Sequence, residues 1–88
     1  MTVALLSLPD GTSSLEFAPD DLESVQQAIS HLFGKASSEL RGSYSRIAFG
    51  GENFLFEQEW DAPCLIASTE GGSLLLAQIE RRLSGTTS

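Results

Sequence analysis

The chain has little of what catalytic and metal sites are usually built from. Its 88 residues include one cysteine, Cys64, and one histidine, His31. A single cysteine excludes an internal disulfide and suits a reducing compartment. A single histidine excludes any site built on several imidazoles. Positive charge is scarce too: Lys35, Arg41, Arg46, Arg81 and Arg82 stand against twelve acidic residues, for a net charge of −7. Holding a phosphate backbone takes clustered lysine and arginine, and these five are scattered. Nucleic acid and anionic membrane are therefore not expected as partners. Long apolar runs are absent as well. The N-terminal "MTVALLSLPDG" has no basic leader, and Pro9 ends its apolar stretch well short of a signal peptide or a membrane span. The expectation is a cytoplasmic protein.

What is present is ordinary for a small globular domain. Apolar residues make up 41% of the chain, and charged residues a low 19%. One domain over residues 1–84 with a frayed tail at 85–88 is expected. A chain this short buries only roughly 60–65% of its unfolded surface, so association with another chain is a natural source of further stability.

Local patterns then supply the elements. "VALLSLPDGTSSLEF" reads as a hairpin about Pro9-Asp10-Gly11: proline presets the first turn position and glycine supplies the left-handed one. That register sets Leu5 opposite Leu15 and Val3 opposite Phe17, with Ala4 and Glu16 on the other face. In "PDDLESVQQAISHLFG", Leu22, Val25, Ile29, Leu32 and Phe33 share an arc of about 100° at helical spacing. Acidic residues sit at its start and Gly34 at its end, so this is a helix. "KASSELRGS" reads as a polar connector.

The stretch "FGGENFLFEQEWDAPC" reads as the turn and second strand of another hairpin. With Gly50 to Asn53 as the turn, Phe49 faces Phe54, Ile47 faces Phe56 and Ser45 faces Gln58. The second face then pairs Arg46 with Glu57, Tyr44 with Glu59 and Ala48 with Leu55. After a turn at Trp60–Pro63, "CLIAS" lacks alternation, which predicts a short strand covered on both faces. "TEGGSLLLAQIERRL" closes the domain as a helix with Leu75, Leu76, Ile79 and Leu83 on one stripe. The predicted order is ββαβββα, an α+β fold: antiparallel sheet with two helices packed on one face. Its last five elements share their order with double-stranded RNA-binding domains, but the basic helix start of that family is replaced by "TEGGS".

Five candidate sites follow. Glu57, Glu59 and Asp61 repeat at period two, roughly 6.5–7 Å apart along a strand. A strand is too flat to wrap a hard cation, so a solvated face is favoured over a metal site. His31 projects about 150° from its helix's apolar stripe, where a triad histidine would not lie. Cys64 reads as a buried, unreactive thiol. The amides of Gly71, Gly72 and Ser73, at a helix start, are the best anion cradle, although Ser68 or Thr69 capping a glycine-eased turn is the favoured reading. Leu74 points away from its own helix's stripe. Together with Tyr44, Leu55 and one side of Cys64–Ser68 it suggests an apolar patch for another chain.

The function expected from these residues is a non-enzymatic acidic protein–protein interaction domain, requiring no cofactor or metal. It acts as a homodimer or as a small inhibitor- or immunity-type binder of a basic partner. Tyr44, Leu55, Glu57, Glu59 and Leu74 form its contact set, with carboxylates steering the partner. The alternative is a small-ligand or anion-binding accessory domain using the Gly71-Gly72-Ser73 helix start. An enzyme in its own right ranks third, because no nucleophile–base pair stands out.

Overall fold

The computed structural model describes residues 3–42, 44–59 and 62–84, with backbone only at 58, 59 and 62. The expected Trp60–Pro63 turn and the 85–88 tail lie largely or wholly outside the described residues.

The first hairpin forms as its turn chemistry dictates. β1 (Val3–Ser7) and β2 (Ser13–Phe17) pair antiparallel with Val3 opposite Phe17, Ala4 opposite Glu16 and Leu5 opposite Leu15. Gly11, at φ 89°, donates its N–H to Leu8 O at 3.1 Å. Asp10 Oδ1 accepts the Thr12 N–H at 3.0 Å and also the Thr12 hydroxyl. Those donors hold the Asp10 carboxyl below its ordinary value. Residues 19–21 make a 3₁₀ turn into α1 (Leu22–Phe33), which Gly34 ends at φ 84°. The buried face of α1 is Val25, Ala28 and Ile29, with Leu22 and Phe33 half-buried beside it. Leu32, expected on the stripe, is 37% exposed. Ala28 is buried instead, while Leu32 lies in the last turn of the helix.

The expected connector is a strand. β3 (Ser37–Arg41) pairs with β4 (Tyr44–Phe49), setting Glu39 opposite Arg46 and Arg41 opposite Tyr44. Every β3 residue is exposed, so no apolar alternation announces it. The ladder of β4 recruits it as an edge strand. The order becomes ββαββββα, and the likeness in element order to RNA-binding domains ends there.

The second hairpin turns tighter than expected. Gly50 (φ 60°) and Gly51 (φ 82°) alone connect β4 to β5 (Glu52–Glu59), with Phe49 opposite Glu52. Positive φ at both central residues is the type I′ turn, whose twist suits paired strands better than a four-residue loop. The register moves by two residues: Ile47 faces Phe54, Arg46 faces Leu55 and Ser45 faces Phe56. A shift of two leaves every side chain on its expected face, while every cross-strand partner changes. Arg46 is therefore opposite Leu55 and not Glu57.

β6 (Ala62–Ala67) pairs with β5 on one side and β2 on the other. This gives one antiparallel sheet ordered β1-β2-β6-β5-β4-β3, and the first hairpin belongs to it. α1 and α2 (Glu70–Ser84) lie side by side on a single face. Beneath them sit Leu15, Phe17, Phe49, Phe54, Leu65 and Ala67, closed from above by Val25, Ile29, Leu76 and Ile79. Phe49 and Phe54 stack at 4.2 Å between ring centroids, and Phe33 stacks on Phe49 at 5.3 Å. Each such pair adds about 1 kcal/mol beyond the area it buries. Gly72 is buried where Phe54 and Ala67 approach: a Cβ there would lie 3.2 and 3.3 Å from them.

Candidate functional site

Both helices lie on one face, so among the described residues no helix covers the other face of the sheet. The expectation that β6 is covered on both sides is corrected. Pro63, Leu65 and Ala67 are buried beneath the helices, whereas Cys64 and Ile66 are half-buried on the open face. The lack of alternation in "CLIAS" marks an apolar residue, Ile66, facing outward, and not a second covering layer.

Register organises this face in two rows. One runs Leu6, Ser14, Ile66, Leu55, Arg46, Glu39, from β1 across to β3. The other runs Ala4, Glu16, Cys64, Glu57 and, through β4 and β3, Tyr44 and Arg41. Leu55 and Ile66, direct cross-strand partners, form the apolar centre. Tyr44 is 38% exposed and Leu6 42%. A shallow hollow of about 350 Å³ opens beside Tyr44, Arg46, Asn53 and Leu55. Arg41 ion-pairs with Glu39 on its own strand. Arg46 and Glu16 are both exposed and have no ion pair among the described residues.

Cys64 sits between two carboxylates, Glu16 on β2 and Glu57 on β5. Burial pushes its thiol up first, and the charges of Glu57 and Glu16 push it further. A nucleophilic thiol needs the opposite surroundings. Cys64, expected to be buried, is half-buried, and charge as well as burial opposes its thiolate.

The remaining candidates separate. Tyr44, Leu55 and Glu57 share the open face. Glu59 follows Glu57 by two positions along β5, opposite Ala62, but its side chain, like the whole of Asp61, lies outside the described residues. No three His, Cys, Asp or Glu side chains group to hold a metal ion among the described residues. His31 is exposed on α1, in the helical layer. Leu74 is 67% exposed on α2, also in the helical layer and across the sheet from Leu55. It therefore belongs to no common patch with Tyr44 and Leu55.

At the start of α2, Thr69 is the cap. Its hydroxyl accepts the Gly72 N–H at 3.0 Å and donates to Glu52 Oε1 at 2.6 Å. A Cβ on Gly71 would lie 2.7 Å from Glu52 Oε2. The Glu52 carboxylate thus stands over the first turn, where the helix dipole attracts negative charge. The chain supplies its own anion beside Gly71, Gly72 and Ser73.

Glu16 and Leu6 were not among the sequence-derived contact residues. Their membership depends on β2 pairing with β6, which no local pattern announces. Compared with known proteins, the chain matches no family model, no curated protein and no solved structure.

Proposed function

We propose that this protein is a non-enzymatic, acidic interaction domain that binds another protein through the open face of its sheet. One observation carries the reading: a six-stranded sheet with both helices on one side leaves Leu55 and Ile66 side by side on the other. Adjacent apolar residues ringed by Glu16, Glu57, Tyr44 and Arg46 have the composition of an interface, an apolar centre within a polar rim. Tyrosine and arginine, beside that apolar centre, are among the residue types enriched where binding energy concentrates. The raised Cys64 thiol argues for contact over chemistry at the same face, because its neighbours oppose the thiolate.

The test is Leu55→Asp on the full chain, with Leu74→Asp as the control on the helical side. The expected result is loss of self-association, or loss of a captured protein partner, with Leu55→Asp and neither loss with Leu74→Asp. A wild-type chain that stays monomeric and binds nothing that Leu55→Asp releases would overturn the proposal.

A further inference from the structure

Two partners were open from the sequence, a basic protein or a second copy. The distribution of charge on the open face decides between them. The chain carries −7 in all, yet the described charged side chains on this face are two arginines against three glutamates. Of the ten acidic side chains described, six lie on helices and turns instead: Asp10, Asp20, Asp21, Glu23, Glu70 and Glu80. A basic partner approaching this face meets little net attraction. A like copy meets little repulsion.

The strand order adds a symmetry argument. In β1-β2-β6-β5-β4-β3 the midline falls between β6 and β5, with β2 and β4 equidistant from it. A half-turn about an axis along the strands at that midline exchanges β6 with β5 and β2 with β4. Closed two-fold pairing requires a face to be complementary to itself in this sense. The residues comply. Leu55 on β5 exchanges with Ile66 on β6, and the two already share one row. Glu16 on β2 exchanges with β4, which carries Tyr44 and Arg46. Glu16, Glu57 and Arg46 have no ion pair among the described residues, and Arg46 is the single positive charge of the three.

We propose that the open face pairs with a second copy of this chain, Leu55 packing on Ile66 and Arg46 with Tyr44 receiving Glu16 across the two-fold axis. This inference rests on the contact-surface reading above and names its partner. Facing sheets pack about 10 Å apart with strands within about 30° of each other, so long side chains such as arginine reach a residue one row along. Six strands at about 4.8 Å spacing, and some five residues long, present only roughly 400–500 Å² of flat area. That is below the ~800 Å² per partner of standard stable interfaces, so the dimer is a weak, concentration-dependent one.

Sedimentation of the full chain from micromolar to near-millimolar concentration tests it. The expected result is a reversible dimer with Kd on the order of 10–100 μM. Arg46→Glu and Glu16→Arg each set like charges together, and each weakens self-association by about tenfold or more. An equimolar mixture of the two variants dimerises again, because opposite charges then meet at both contacts. Both positions are exposed, and unchanged circular dichroism verifies that each variant is folded. A wild-type monomer at near-millimolar concentration, charge swaps without effect, or a mixture that fails to recover would each overturn the inference. A wild-type monomer that nonetheless binds a different protein in a Leu55-dependent way overturns the second copy alone and leaves the contact-surface reading standing.

Discussion

Alanine at Gly50 should cost more than alanine at Gly51, although the two residues are adjacent in one turn. Both have positive φ, 60° and 82°. A side chain in that region costs about 1–2 kcal/mol at either position. At Gly51 nothing else intervenes, since an added Cβ would find open space. At Gly50 the Cβ would lie 2.6 Å from Leu75 Cδ1 and 3.4 Å from the Phe33 ring. The half-buried Leu75 side chain would have to turn its end aside by about 1 Å, which adds about 1 kcal/mol, the low end of overpacking costs. The expected losses are thus about 1–2 kcal/mol for Gly51→Ala and about 2–3 kcal/mol for Gly50→Ala. For a domain of this size each kcal/mol lowers Tm by about 4–8 °C. Urea unfolding followed by circular dichroism reads the difference as a shift in midpoint at constant slope. Asparagine, which enters the left-handed region readily, should recover part of the loss at Gly51 and little at Gly50. Equal losses would refute the close approach of Leu75 to Gly50, and no loss at either position would refute the two-residue turn. The register that puts Arg46 opposite Leu55 would fall with it.

At the start of α2, Thr69→Ala should destabilise by about 1 kcal/mol through loss of the cap. Glu52→Ala should cost a similar amount, and the double variant should cost less than the sum, since the two groups share a hydrogen bond. Additive losses by thermal melts would show that Glu52 does not act on the helix through Thr69. For Cys64, the thiol is raised in the folded chain, so its stabilising effect is complete below the ordinary thiol pKa and is lost as pH rises through the folded value. Alkylation of the native protein near pH 8 should be slower than that of the unfolded chain. Glu57→Gln, which removes one of the charges opposing the thiolate, should speed it. An unchanged rate in Glu57→Gln would remove the charge argument.

Much of the fold was legible because it is local. Pro9-Asp10-Gly11 set the first hairpin's register residue for residue, and the period of Leu22, Val25 and Ile29 set the first helix. The second hairpin was readable by face but not by register. Alternation has a period of two, so it cannot distinguish partners that differ by two residues. Only the turn distinguishes them, and two consecutive glycines fit a two-residue loop as well as the start of a longer one. β3 was not legible at all, since an exposed edge strand buries nothing that its sequence would need to record. The candidate site divides in the same way. Tyr44, Leu55 and Glu57 follow from alternation, and the Thr69 cap follows from its residue type. The carboxylate that stands beside that cap comes from Glu52, seventeen residues earlier, and only the folded chain brings them together.

Leu32 and the outer side of β6 aside, the sequence by itself determined which residues turn dry and which turn wet, because burial is decided pleat by pleat and helical turn by helical turn. What it left open was which elements become neighbours. Tertiary structure decided that β2 joins β6, that both helices crowd one side, and that Glu16 and Arg46 end up equidistant from the sheet's midline. Those outcomes depend on pairings between distant segments, where the free energy comes from closing one shared core and no short stretch of chain carries the information.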